Sequence, residues 1–147
     1  MMVYVDTSAL LKRYITEANS DEFDAFFMAR TPLAISRLTL VEMRCALARR
    51  RRNGDISTTL EEQAMDEVRT DIQDGVLAVH PISDDQVVHA LHLIDQIAPL
   101  PLRTLDALHL SVARRINADE FATADRNQAD AATALGLIVF TFIQIKS

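Results

Sequence analysis

The feature that most restricts this chain is an alternation of short continuous apolar runs with stretches whose apolar residues recur at helical spacing. The runs are Val3-Tyr4-Val5, Pro32-Leu33-Ala34-Ile35-Ser36, Val76-Leu77-Ala78-Val79, Phe121-Ala122-Thr123 and Leu137 to Phe140. A strand apolar on both faces must be covered on both, which is the condition of a parallel sheet between helices. The spacing predicts a helix after Asp6, capped by Thr7 or Ser8, and a second from Ser20 carrying Phe23, Phe26 and Phe27. A third is expected from near Thr39, with Leu40, Met43 and Leu47, running through Arg49-Arg50-Arg51-Arg52 to Asn53-Gly54. Others are expected from Ser57 to Asp74, Asp84 to Ile97, Thr104 to Asn117 and Asn127 to Leu135. The basic end of the third helix and the acidic fourth suit a charge-complementary hairpin. The expected class is α/β, one domain over residues 1–147, built as a sandwich around a mainly parallel sheet.

Composition excludes several functions. With 3 Gly, phosphate-cradling glycine loops are disfavoured. The single Cys45 cannot form an internal disulfide; set among apolar residues, it reads as a structural thiol in a reducing cytoplasm. No basic region followed by a long apolar stretch opens the chain, and the uncharged stretch between Asp130 and Lys146 is too short to span a membrane. A net charge of -6 argues against a nucleic-acid partner, since Lys and Arg supply most affinity for phosphate backbones. That argument fails if several carboxylates converge to hold divalent cations, because the metal's own charge then enters the local balance.

Four acids invite that reading. Asp6 and Asp125 directly follow predicted strands, where ligands bind in α/β sheets, and Glu42 and Asp106 fall in the first turns of predicted helices. Each also has a purely structural reading. Asp6 can cap a helix, Glu42 can close a capping box with Thr39, Asp106 can meet a helix dipole, and Asp125 can be a turn residue or N-cap. These readings leave unexplained why Asp106 emerges among Leu105, Ala107, Leu108 and Leu110. Converging carboxylates repel unless cations neutralise them, and oxygen donors of this kind select hard divalent metals such as Mg2+ or Mn2+.

The segments Val5-Asp6-Thr7-Ser8-Ala9-Leu10, Val41-Glu42, Thr104-Leu105-Asp106-Ala107-Leu108-His109 and Phe121-Ala122-Thr123-Ala124-Asp125 occur in the order seen in a known family. The chain resembles the PIN-domain nucleases, and most closely the VapC-type toxins of bacterial toxin-antitoxin pairs. The resemblance implies a PIN-like three-layer α/β/α sandwich that cleaves RNA phosphodiester bonds with bound Mg2+ or Mn2+. It places Asp6, Glu42, Asp106 and Asp125 at the four acidic positions, with Thr7, Ser8 and Thr123 in support. Asp130, a helical turn beyond Asp125, is a further candidate against a solvated helix face. A metal so held lowers the pKa of a bound water and stabilises charge on the transition state. The implied partners are an RNA substrate, a small VapB-like antitoxin that covers the acidic site, and a second copy of the chain joined through the first helices. Phe23, Phe26, Phe27 and Met28 either receive the antitoxin or pack in the core.

Arg37, Arg44, Arg103 and Arg126 lie near the acids in sequence and are candidates for RNA phosphates, with surface ion pairs as the alternative. The Arg49 to Arg52 run either tracks an RNA backbone or complements a helix C-terminus. His89 and His92 lack a third soft ligand for zinc, and His109 reads as a packed or capping histidine. A phosphatase or phosphorelay domain also begins with a strand ending in Asp. The former wants a second Asp where Ser8 stands, and both want a late Lys, for which Lys146 is poorly placed. The remaining rivals are a non-catalytic PIN-like module that binds a protein, and a PIN nuclease that processes RNA without a toxin role.

Overall fold

The computed structural model describes residues 1–145, so Lys146 lies outside the described residues. Its elements run β1 (Val3–Val5), α1 (Thr7–Tyr14), α2 (Ser20–Arg30), β2 (Leu33–Ser36), α3 (Arg37–Arg52), α4 (Thr58–Gln73), β3 (Leu77–His80), α5 (Asp84–Gln96), α6 (Thr104–Arg115), β4 (Glu120–Thr123), α7 (Arg126–Ala134) and β5 (Ile138–Thr141). The strands form one sheet in the order β3-β2-β1-β4-β5, and every ladder is parallel. From β1 the chain winds outward through β2 to β3, while β4 leads outward the other way to β5. The β1/β4 boundary is therefore the topological switch point, where helices leave the sheet in opposite directions and a crevice opens beyond the strand ends.

Side-chain alternation along the strands makes the three layers. Val3 and Val5 join a core with Leu10, Phe23, Phe27, Met43, Leu47 and Val68, drawn from α1 to α4. Tyr4, between them, points to the opposite face and packs with Leu93, Leu110, Phe121, Ala131 and Ala132, drawn from β4 and from α5 to α7. Both faces of the inner strands β1, β2 and β4 are thus dry, which is why they read as unbroken apolar runs rather than as alternating ones.

Three local expectations need correction. The third helix starts at Arg37, not near Thr39, because Ser36 is the N-cap and forms the capping box with Thr39. Glu42 is therefore in the second turn of α3 and outside that box, which leaves its carboxylate free for other partners. At α1 the capping side chain belongs to Asp6, not to Thr7 or Ser8, and accepts from the Ala9 amide at 3.2 Å. Cys45 is exposed rather than packed among its apolar neighbours. The expected charge-complementary hairpin is present, since Arg44 and Arg51 of α3 both pair with Glu61 of α4, at 2.9 and 2.7 Å.

Candidate active site

A cleft of about 790 Å³ opens at the switch point, and Asp6, Glu42, Asp106 and Asp125 all line it. The elements that deliver them explain the convergence. Asp6 follows the last residue of β1, its amide bonded to the Ala122 carbonyl of β4 at 3.1 Å. Asp125 follows β4 and caps α7 through the Gln128 amide at 3.0 Å. Asp106 stands in the first turn of α6, and Glu42 comes across from α3.

Asp6 is almost wholly buried, at 3 % exposure. Its carboxylate accepts from Ser8 Oγ at 2.7 Å and from Thr123 Oγ1 at 2.5 Å, besides the Ala9 amide. These hydroxyls also tie the two strand ends together, because Ser8 Oγ accepts from the Ala124 amide at 2.9 Å and Thr123 Oγ1 from the Asp125 amide at 3.0 Å. Burial nonetheless pushes the Asp6 pKa up, against the lowering effects of His109 and the two hydroxyls. Asp106 is raised as well, chiefly by burial, with Arg103 opposing and the neighbouring Asp125 charge adding to the shift. Glu42 goes the other way. Burial alone disfavours its charge, but His109, the Thr7 hydroxyl and Arg103 together hold it below the ordinary carboxylate value.

Arg103 sits across the acidic mouth, its Nε donating to Asp106 at 3.2 Å and its Nη2 to Asp125 at 2.9 Å. Its side chain is 73 % exposed, so the guanidinium holds this position from the solvent side and can leave it without disturbing the core. On the opposite side His109 Nε2 lies 2.5 Å from Glu42 Oε1, Thr7 donates to the same oxygen at 2.8 Å, and Tyr4 Oη meets His109 Nδ1 at 2.7 Å. His109 is packed, as its apolar neighbours suggest, but it also anchors an acid of the site. Its place three residues after Asp106, on the same helical face, was the available signal.

Among the described residues, no three acidic, histidine or cysteine side chains are drawn tightly enough together to form a ready cage for a metal ion. The donor set still suits one. It consists of carboxylates backed by hydroxyls, the oxygen chemistry that hard divalent cations require. Two of the four carboxylates are already bridged by an exposed cation, the Arg103 guanidinium.

The other sequence candidates divide. Thr7, Ser8, Thr123 and Arg103 are in the acid network, as described. Asp130 is exposed on α7 and does not line the cleft, and Arg37 and Arg126 are exposed and do not line it either. Arg44 is committed to Glu61 on the side of α3 away from the acids. Phe23, Phe26 and Phe27 are core residues, while Met28 is exposed. Sequence reasoning did not find the cleft-lining Lys12, Glu17 and Phe142, for which no local motif exists.

The PIN domain family model matches residues 3–134. Ribonuclease VapC46 of Mycobacterium tuberculosis H37Rv is 29 % identical over 139 residues, covering 93 % of this chain and 95 % of its own. Ribonuclease VapC45 of M. tuberculosis CDC 1551 is 34 % identical over 114 residues, covering 76 % and 74 %. Among solved structures, M. tuberculosis VapC20, described as a sarcin-ricin loop cleaving toxin, superposes with a TM-score of 0.70 at 17 % identity, covering 99 % of both chains. A toxin-antitoxin complex from Klebsiella pneumoniae gives a TM-score of 0.67 at 16 % identity, covering 99 % and 100 %. The two structures share the fold, the family model spans residues 3–134 and the two sequence matches cover 93 % and 76 % of the chain: the chain belongs to the PIN-domain family and, within it, to the VapC-type ribonucleases.

Proposed function

We propose that this chain is an endoribonuclease that hydrolyses RNA phosphodiester bonds with Mg2+ or Mn2+ held by Asp6, Glu42, Asp106 and Asp125. The observation that carries the reading is the meeting of these four acids in one cleft at the β1/β4 switch point, from four separate elements. Ordinary helix caps have no reason to share a pocket. When bound, the metal supplies an activated water and positive charge beside the scissile phosphate.

The chain's own residues do the positioning. Ser8, Thr123 and the Ala9 amide fix the Asp6 carboxylate, while Thr7 and His109 fix that of Glu42. Arg103, bound to Asp106 and Asp125 from solvent, is placed to exchange those carboxylates for a phosphate oxygen of the RNA. The VapC names of the relatives and the toxin-antitoxin complex among the structural neighbours support a toxin role, with a small antitoxin covering the acidic mouth. No helix among the described residues is long and apolar enough to cross a membrane, and action in the cytoplasm is part of the proposal. Homodimerisation is also proposed, though the aromatic residues of α2 are buried and the exposed apolar run lies on α5 at Val87, Val88 and Leu91.

The test is cleavage of a pool of small structured RNAs by purified protein with Mg2+ or Mn2+, beside EDTA and the Asp6→Asn and Asp106→Asn variants. Metal-dependent cutting that both variants lose, with their folds intact by circular dichroism, is the expected result. If the natural protein cuts nothing in any metal and binds no Mn2+ by calorimetry, the catalytic reading fails.

A further inference from the structure

The arginines of α3 are sorted by the structure. Arg44 and Arg51 turn to α4 and are held by Glu61, whereas Arg49 and Arg50 line the same cleft as the four acids. Glu42, Cys45, Ala46 and Arg49 recur at spacings of three and four, so one face of α3 forms a wall of the cleft. Seven residues separate Glu42 from Arg49, about 10 Å along the axis at 1.5 Å per residue. The cleft is thus acidic at one end and basic at the other.

At the basic end the charges do not cancel. Glu17 pairs with both Lys12, at 3.2 Å, and Arg50, at 2.8 Å, and Lys12 is further occupied by the Ala18 carbonyl at 2.7 Å. Arg49 is exposed and makes no ion pair among the described residues. A chain of net charge -6 therefore keeps unbalanced positive charge within the cleft that holds its four acids. An occupant attacked at the acidic end must present negative charge again about 10 Å away along the axis of α3, and a phosphodiester strand does so at every nucleotide. Arg forks suit phosphate oxygens. At about 790 Å³ the cleft has the volume of a small-molecule site, which takes a few unpaired nucleotides and not a duplex.

We propose that Arg49 and Arg50 form a phosphate-binding subsite for single-stranded RNA, holding a phosphate of the strand to one side of the scissile bond so that the substrate lies along α3. The subsite rests on the nuclease reading above. Arg50 is preset by Glu17, and Arg49, without an ion pair among the described residues, meets the strand directly.

The experiment measures binding of a single-stranded oligouridylate by fluorescence anisotropy in EDTA over a salt series. The proteins compared are the natural chain, Arg49→Ala, the Arg49→Ala/Arg50→Ala double variant, and Arg52→Ala. Arg52 is exposed on the same helix but does not line the cleft, so its loss removes an equal charge without touching the subsite. Losing one phosphate contact on a single strand lowers the slope of log K against log salt by about 0.7, so the double variant, which lacks the subsite, is expected to fall by about 0.7 and Arg52→Ala not at all. Because Arg50 also braces Glu17, the single Arg49→Ala variant carries the test if the double variant does not fold. In cleavage of a long RNA, Arg49→Ala is expected to raise KM and leave kcat unchanged. An unchanged slope in Arg49→Ala while cleavage persists overturns the subsite and leaves the nuclease standing. If the natural protein neither binds RNA in a salt-dependent way nor cuts it, both fall. Loss of polyglutamate binding in Arg49→Ala with an unchanged RNA slope overturns the RNA assignment in favour of an acidic protein segment.

Discussion

Replacing Asp6 by Asn is expected to abolish cleavage and to make the protein more stable. The carboxylate is buried, and its three donors, Ser8, Thr123 and the Ala9 amide, do not fully offset the loss of water, since its pKa remains raised. An amide keeps most of this wiring. Its oxygen continues to accept from Ser8 and Ala9, and its NH2 donates to Thr123 Oγ1, whose hydroxyl proton turns to Ser8 Oγ, 3.4 Å away. What disappears is a buried carboxylate in the cleft it shares with Asp106 and Asp125. Relief of this kind at a functional site is commonly worth about 1–2 kcal/mol, roughly 2 to 8 °C in Tm for a chain of this size.

The gain depends on pH in a definite direction. With its folded pKa above the ordinary 3.8, Asp6 binds a proton more tightly in the folded chain than in the unfolded one. The natural protein therefore gains stability as pH falls through the raised pKa and has the full gain below 3.8, whereas Asn contributes no such dependence. The advantage of Asp6→Asn is thus greatest at neutral pH and closes as the solution is acidified toward about pH 4. Calorimetric melting of both proteins in EDTA across that window is the assay. A variant that melts at or below the natural protein at neutral pH, or an advantage that grows on acidification, would refute the claim that Asp6 is held charged at a cost.

Three further perturbations have definite expected outcomes. Adding Mn2+ at about 100 times its Kd should stabilise the natural protein by about 2.7 kcal/mol and leave Asp6→Asn/Asp106→Asn unmoved, as read by melting curves. Arg103→Ala should lower metal-free stability by less than about 1 kcal/mol, because the side chain is largely exposed. The same variant should tighten Mn2+ binding by calorimetry, since the guanidinium no longer competes for Asp106 and Asp125. Tyr4→Phe removes the hydroxyl at His109 Nδ1 in a fully buried position and should cost about 1–3 kcal/mol in denaturant unfolding. It should also lower kcat more than it changes KM if the Tyr4–His109–Glu42 chain orients the acid.

The central strands and the acids beyond them were legible because both faces of β1, β2 and β4 are dry. Continuous apolar runs at Val3-Tyr4-Val5 and Phe121-Ala122-Thr123 marked the central strands, and an acid just past each marked the switch point. The start of α3 was not legible. Thr39 stands three residues from both Ser36 and Glu42, so two capping boxes fit the sequence, and only the backbone turn at Ser36 decides between them. Nor could the sequence show which arginines face the acids. Arg44 and Arg49 differ by little more than one turn, and it is the position of Glu61 on α4 that draws one away. The partnership of His109 with Glu42 and Tyr4 spans 67 and 105 residues, and its local trace goes no further than the place of His109 three residues after Asp106.

These illegible contacts share one cause, which also accounts for the state of the site. A parallel sheet with its switch point at β1/β4 gathers acids from distant segments without any of them adjoining another in sequence, so each arrives with its own local supports. Asp6 brings Ser8 from its own helix and meets Thr123 from β4. Glu42 meets Thr7 and His109, and Asp106 and Asp125 share Arg103. The supports neutralise unequally. Glu42 is held charged, but Asp6 and Asp106 remain above their ordinary pKa, so the folded chain carries carboxylates that its own hydrogen bonds do not satisfy. A core under selection for stability alone would replace Asp6 with a neutral residue. That a carboxylate lies buried, its pKa pushed up, at the crevice the topology opens supports the proposal that a cation from outside the chain completes the site.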